Sequence, residues 1–455
     1  MKAQRSRDAL LNDPIATTLW QMTWPVVIGV LTLISFNVVD TFFIGLLGTD
    51  PLAAVSFTFP ITFTVISLTI GLGIGTSAVI ARQHGANHPD SARFDGTIAL
   101  LLSAALVAIL ALLGFFNMDR IFSALQAQDR LLPLIRDYMS IWFAGSVMLV
   151  TPMIGNAVLR ASGDTRTPSL IMASGGLLNA IFDPLLIFGL GPIPAMGIRG
   201  AAYASVISWA IGVVLVVILL VRAKLLSVSP PPQRTWLQEA RVAAKKILTI
   251  GLPAAGANML TPLAMAVLTA IVAAYGAPAV AAYGVGTRLE SLASVIILAL
   301  SMSLPPFISQ NLGAGNIQRV EQAYKTAIKA VLVIQAVIYI VLVALASFIA
   351  DAFAQEQAVK NIVELFIYIL PLSYGLQGVI ILTNSSFNAL HLPIKALLLS
   401  VFRLFVMFVP LSYLGSVLAD LMGLFIGGVV ANLITATVAY YGFRYQLRKS
   451  AGSNA

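Results

Sequence analysis

Twelve apolar stretches, each long enough to cross a lipid bilayer, follow one another along this chain of 455 residues. A membrane-spanning helix needs about 20 predominantly apolar residues. Hydrophobic residues make up 59% of the sequence and charged residues only 10%, whereas soluble domains carry about 25% charged residues. Because lipid offers backbone groups no hydrogen bonds, each stretch must form a helix. The sequence therefore predicts an all-α integral membrane protein with twelve spans, at residues 15–45, 52–81, 95–117, 132–159, 168–190, 198–222, 246–273, 279–308, 322–349, 359–387, 394–416 and 419–443.

The distribution of lysine and arginine indicates how these spans are oriented. With the amino terminus placed in the cytoplasm, 21 of the 27 basic residues fall on inner segments, Arg403 among them. Five fall on outer segments, and Arg288 lies within a span. Cytoplasmic loops of membrane proteins carry such an excess of basic residues. We therefore expect a multi-pass protein of the bacterial inner membrane with both termini in the cytoplasm.

The two halves of the chain repeat each other. Pro25 matches Pro253, and Gly48 matches Gly276, at the same spacing of 228 residues. Each half holds six spans, an even number, so both halves begin on the same side of the membrane and the repeat is parallel. The repeat predicts two six-helix bundles around a central cleft.

A proline cluster marks the join between the halves. The segment ValSerProProProGln begins at residue 228 and leads into a basic amphipathic stretch before the seventh span. Such a stretch favours a position at the membrane surface. We expect an amino-terminal bundle over residues 1–222 that carries the ion-coupling site, a cytoplasmic linker over 223–245, and a carboxy-terminal bundle over 246–455.

Two aspartates lie deep within predicted spans. Asp40 is in the first span and Asp183 in the fifth, where a carboxylate costs about 2.5–3.5 kcal/mol on insertion scales. The repeat places Leu268 opposite Asp40, and the segment that matches Asp183 contains no acid. A role in maintaining the fold would be expected to recur in both halves, whereas an ion site need exist only once. The pair therefore predicts an ion-coupling site in the first half.

The residues around the two aspartates favour a polar cavity. Asn179 precedes Asp183 by four residues, so both lie on one helix face, and Asn37 precedes Asp40 by three. For either aspartate alone, a structural hydrogen bond between helices is the alternative. Two nearby carboxylates in a partly dry site cannot both ionise cheaply, so one is expected to hold a proton.

Several energy sources and activities have no motif in the sequence. The chain has no cysteine, and it contains no GlyXXXXGlyLys[Ser/Thr], HisGluXXHis or GlyXSerXGly pattern. These absences argue against thiol chemistry, an ATP-driven pump, a metalloprotease and a hydrolase. We expect a transporter without a cofactor, not an enzyme, driven by an ion gradient and without a nucleic-acid partner.

Four motifs resemble the MATE family, the multidrug and toxic compound extruders, and specifically its DinF-like branch. The resemblance covers nearly the whole chain. Its motifs are ValValAspThrPhePheIleGly at the end of the first span, AsnAlaIlePheAspPro in the fifth, the GlyThrAspProLeuAlaAlaVal loop and the LeuArgAlaSerGlyAspThrArgThrPro turn. The resemblance implies an antiporter that exports amphipathic, often cationic organic compounds against an inward flow of protons or sodium, and hence a role in drug resistance.

The resemblance also implies particular site residues. In the family, bending at the proline that matches Pro25 is proposed to accompany protonation. Thr261 stands where the NorM-like branch has an acid, so proton coupling is favoured over sodium, which would bind at Asp40, Asn179 and Asp183. The implied ion-coupling residues are Asp40, Tyr138, Asn179, Asp183 and Ser205.

Other polar residues within the spans are candidates for the substrate cavity. These are Asn37, Arg288 and Glu290, and the last two could instead satisfy each other. Two rival functions are a flippase for a lipid-linked oligosaccharide and a passive channel. The first would need a cationic cleft, and the second a continuous polar filter. We expect a functional monomer in contact with membrane lipid and small-molecule drugs.

Overall fold

A computed structural model describes residues 9–189, 191–231 and 235–452, without the side chains of Phe36, Asn37 and residues 450–452. Within these ranges the chain is helical and contains no β-strand. A 3₁₀ turn occupies Leu370–Ser373 and a π-helical segment occupies Phe402–Phe408. The helices are α1 (Ile15–Leu46), α2 (Thr49–Gly85), α3 (Pro89–Phe116), α4 (Met118–Ala124), α5 (Leu132–Ala161), α6 (Arg166–Ile187), α7 (Ile198–Arg222), α8 (Trp236–Ala273), α9 (Ala277–Ala293), α10 (Val295–Gly313), α11 (Ile317–Ala344), α12 (Ala346–Phe353), α13 (Gln357–Ile369), α14 (Tyr374–Ala389), α15 (Pro393–Val401) and α16 (Val409–Gly452).

The described residues form eleven helical segments that are long and apolar enough to cross a membrane. The last of them, Pro393–Lys449, contains both the eleventh and the twelfth predicted spans. It reverses direction at Ala419 and Asp420, whose backbone angles are not helical. Beyond this break the backbone returns along itself, since Gly423 packs against Gly415 and Gly427 against Leu411 with no room for a Cβ. The prediction of an all-α membrane protein with twelve spans is confirmed.

Helix α8 differs from the sequence prediction at its amino end. The predicted span begins at residue 246, whereas the helix begins at Trp236 and runs without a break for 38 residues. At about 1.5 Å per residue this is about 57 Å, far more than the lipid core requires. The extra turns are not confined to a surface, because Ala243 is fully buried and Glu239 is only 8% exposed.

The chain divides into two compact units. The first contains Trp24–Ala255, and the second contains Leu10–Thr23 together with the described residues from Gly256 onward. Helix α1 therefore passes from the second unit into the first beside Pro25, and α8 passes from the first into the second after Pro253. The two divisions fall beside prolines that the internal repeat makes equivalent.

Each unit makes polar contacts near the amino end of the long helix that leaves it for the other unit. In the second unit, the Arg319 guanidinium donates hydrogen bonds to the carbonyls of Leu10 and Asp13, at 3.1 and 2.8 Å. In the first unit, Lys246 on α8 lies 3.8 Å from the buried carboxylate of Asp95 on α3. The first contact anchors the residues just before α1, and the second anchors the amino-terminal part of α8 before Pro253.

A small residue brings α6 and α7 together in the first unit. Gly200 on α7 lies directly against the carbonyl of Leu186 on α6, where a Cβ would overlap the backbone. Small residues at helix interfaces permit such close approach in membranes, where apolar burial contributes little between helices. This contact lies seven residues from Asn179 on α6 and five from Ser205 on α7, whose side chains meet at 3.3 Å.

Candidate functional site

The carboxyl groups of Asp40 and Asp183 lie against each other, within hydrogen-bonding range. Asp40 comes from α1 and Asp183 from α6, and Asp183 is fully buried. Among the described residues, Asp40 Oδ1 and Asp183 Oδ2 are buried and have no hydrogen-bond donor. A hydrogen bond between two carboxyl groups requires a proton on one of them. The geometry therefore suits a pair that shares a proton or a bound cation.

Asn179 links this pair to α7. Its amide Nδ2 donates to Asp183 Oδ1 at 3.4 Å and to Ser205 Oγ at 3.3 Å. Both bonds are long, so the amide is held weakly between the two acceptors. The structure thus brings together four of the residues predicted for the ion-coupling site, on α1, α6 and α7.

Tyr138 is the fifth predicted residue, and it also reaches the pair. It lies on α5, is only 7% exposed, and lies within electrostatic range of both carboxyl groups. Its side chain completes a wall of the site from a fourth helix. An aromatic hydroxyl in this place can donate to a carboxylate oxygen and accept from a carboxylic acid.

Two further predicted residues lie on α1 but at different distances from the pair. Pro25 lies within the helix, 15 residues before Asp40, which is about 22 Å along the axis. Pro25 is therefore too far from the pair to contact it directly. Asn37 belongs to α1, and its side chain lies outside the described residues.

Metal-binding residues are sparse in the part of the chain that the structure describes. No group of three His, Asp or Glu side chains is placed to hold a metal ion there. A cation at the aspartate pair would need the neutral oxygens of Asn179 and Ser205 in addition to the two carboxylates. Hard cations accept such oxygen ligands.

The structure separates Arg288 from Glu290. Arg288 is exposed, and no ion pair joins the two residues in the described chain. Residues two apart point to different faces of a helix, so the expectation that they satisfy each other does not hold. Glu290 instead accepts a hydrogen bond from Gln377 Nε2 on α14 at 2.9 Å.

The sequence did not predict which basic residue lies near Glu290. Arg403 was counted among inner basic residues, but it lies in the π-helical segment within electrostatic range of Glu290, and its Nε is buried. The available signal was its position, nine residues inside the predicted span 394–416. The second unit therefore also contains intramembrane charge, which the comparison of repeat positions alone did not reveal.

Comparisons with known proteins place this geometry in context. A family model described as MatE matches residues 25–185 and 253–414, two segments that begin 228 residues apart. A protein of Shewanella oneidensis described as an FAD transporter is 40% identical over 440 residues, 96% of each chain. The multidrug export protein MepA of Staphylococcus aureus is 25% identical over 433 residues, 94% of this chain and 93% of that protein. The crystal structure of the Vibrio cholerae MATE transporter VcmN in the bent form matches with a TM-score of 0.91 and 34% identity, covering 98% of this chain and 99% of that one.

Proposed function

Because the chain belongs to the MATE family of membrane transporters, we propose that it is a secondary active exporter whose coupling ion binds at Asp40 and Asp183. The observation that carries the proposal is the direct meeting of these two carboxyl groups inside the membrane. Intramembrane acids that face one another mark ion and proton pathways. Neither a lipid-linked oligosaccharide flippase nor a passive channel requires such a pair.

We propose the proton as the coupling ion. Two carboxyl groups within hydrogen-bonding range repel each other less when one holds a proton, and the Asn179 amide donates to Asp183. In addition, Thr261 replaces an acid where a different branch of the family has one. Sodium is the alternative, with Asp40, Asn179 and Asp183 as its ligands.

A coupling mechanism follows from the position of Asp40. Protonation would neutralise the pair and change the interactions that hold the end of α1 against α6 and α5. A ligand shifts a conformational equilibrium only through different affinities for the two states. Export is coupled if substrate and proton favour different positions of α1, which Pro25 allows to bend.

For the substrate, a relative suggests a candidate that the sequence did not predict. The 40% identical relative is described as an FAD transporter, so we propose an anionic, flavin-containing nucleotide as the first candidate. Amphipathic, often cationic drugs are the second candidate, favoured by relatives described as multidrug export proteins. We further propose that the protein acts as a monomer in the bacterial inner membrane, in the DinF-like branch, with both termini and the linker in the cytoplasm.

The test is transport in proteoliposomes containing the purified full chain. FAD and ethidium serve as anionic and cationic probes, each under an imposed pH gradient and, separately, an imposed sodium gradient. We expect FAD transport on the pH gradient and its loss with an uncoupler. Transport of neither probe on either gradient would overturn the proposed function, and transport of ethidium alone would assign the second candidate substrate.

A further inference from the structure

The second unit contains a polar cluster that is rich in hydrogen-bond donors, whereas the aspartate pair is rich in acceptors. Glu290 on α9, Gln377 on α14 and Arg403 in the π-helical segment form its charged part. The phenols of Tyr283 on α9 and Tyr374 on α14 lie near the Glu290 carboxylate. We call these five residues the Arg403 cluster.

The Arg403 guanidinium retains donor capacity. Its Nε is buried and has no hydrogen-bond acceptor among the described residues. Glu290 is close enough to attract it, yet no ion pair within 4.0 Å joins the two side chains in the described chain. An arginine inside a membrane is costly and, where it occurs, lines functional pathways. Its place in a π-helical segment agrees with this, since such segments are frequent at functional sites.

The tyrosines add further donors to the same cluster. Tyr374 is 2% exposed, and its hydroxyl has no partner in the part of the chain that the structure describes. Among the described residues, the partner of the Tyr283 hydroxyl is the Sδ atom of Met265, at 4.0 Å, and a thioether is a weak acceptor. Meanwhile one oxygen of Glu290 is already taken by Gln377. The cluster therefore has more donors than acceptors, and a buried unmet donor costs free energy.

We propose that Arg403 binds an anionic group of the transported substrate, a phosphate or carboxylate, with the Tyr374 hydroxyl as a second donor. The inference rests on the proposed function, because it assumes an organic substrate that enters the protein. Guanidinium matches phosphate and carboxylate in two-pronged geometry. The first unit, in contrast, offers acceptors at Asp40 and Asp183 and would attract a proton or cation.

Glu290 acts in this proposal as a positioning residue. It compensates the charge of Arg403 while no substrate is present, and Gln377 holds its carboxylate. When substrate is bound, Glu290 competes with the anion for the guanidinium and so allows release. Glu290→Gln should therefore strengthen binding of the anion several-fold and slow turnover.

The experiment measures binding of FMN and riboflavin to the purified full chain by flavin fluorescence. The two probes share the isoalloxazine ring and differ by one phosphate. The wild-type protein is expected to bind FMN about tenfold more tightly than riboflavin, a difference of about 1.4 kcal/mol. Arg403→Gln should remove this preference by weakening FMN binding and should leave riboflavin affinity within twofold. Arg448→Gln, in the same unit at an exposed position near the end of α16, is the matched control and should retain the preference.

Several outcomes would overturn the inference. These are a wild-type protein without preference for FMN, an Arg403→Gln protein that keeps it, or an equal loss of both probes. If Arg403→Gln elutes abnormally on size exclusion, Arg403→Lys is measured in its place. Lysine keeps the positive charge but cannot bind an anion in the two-pronged geometry of arginine. The FMN preference of this variant should then fall about threefold, and an unchanged preference would count against the inference.

A failure of the proposed coupling at the aspartate pair can be distinguished from a failure of anion binding at Arg403. Asp40→Asn should keep the FMN preference, since the aspartate pair is not part of the Arg403 cluster, while losing gradient-driven transport. An Asp40→Asn protein that transports normally would refute coupling at the pair and leave the assignment of Arg403 intact.

Discussion

Asp40 and Asp183 place their carboxyl groups against each other, although they come from the first and sixth of the described helices and lie more than 140 residues apart in the chain. Around them, the amide of Asn179 reaches both Asp183 and Ser205. The arrangement concentrates acceptors in one place within the membrane. Its chemical consequence is a site that is stable only with a proton or cation present.

The first prediction concerns the charge of the pair. Asp40→Asn and Asp183→Asn should each lower gradient-driven export at least tenfold, because the amide cannot take up and release the coupling proton. The amount of inserted protein should stay near the wild-type level, since removing a charge from the membrane does not hinder insertion. Asp129→Asn, which changes an exposed aspartate of the first unit, is the control. Wild-type export by both variants at equal expression would make the aspartates structural.

The second prediction concerns the coupling ion. Export in proteoliposomes should run on a pH gradient in nominally sodium-free buffer and should collapse when an uncoupler is added. A proton-coupled site needs no sodium, whereas a sodium site shows saturable dependence on sodium at fixed pH. Full activity on a sodium gradient alone, with none on a pH gradient alone, would assign the same residues to sodium.

The third prediction concerns the packing that aligns the site. Gly200→Ala would place a Cβ against the Leu186 backbone, and such overpacking costs about 1–3 kcal/mol. We expect a lower thermal transition in size-exclusion measurements and weaker export, since α7 would move away from α6 and Ser205 from Asn179. Gly175→Ala on α6 has open space around the new Cβ and should be neutral or slightly stabilising. Equal effects of the two substitutions would show that the close approach at Gly200 is not required.

The fourth prediction concerns topology. Reporter fusions at both termini and in the linker should all report a cytoplasmic position. The reason is the excess of basic residues on inner segments together with an even number of spans. Termini on opposite sides of the membrane would contradict both the orientation and the parallel repeat.

Sequence patterns located the helices well, because lipid forces every spanning segment to satisfy its own backbone. The predicted first span, 15–45, became Ile15–Leu46, and the sixth, 198–222, became Ile198–Arg222. The patterns were less informative at helix ends that pack against other helices of the same protein. Helix α8 begins ten residues before the predicted span, and its extra turns bury Ala243, which composition alone cannot distinguish from a surface segment.

The sequence by itself determined that this chain crosses the membrane repeatedly and that Asp40 and Asp183 are costly enough to need a function. Only the tertiary structure decided which polar groups meet: Asp40 with Asp183, and Glu290 with Gln377 and Arg403. The physical reason is that lipid and helix interfaces are both apolar, so hydropathy does not reveal which face of a helix meets a neighbour. That choice depends on contacts distant in sequence, such as Gly200 against Leu186, which no local pattern records.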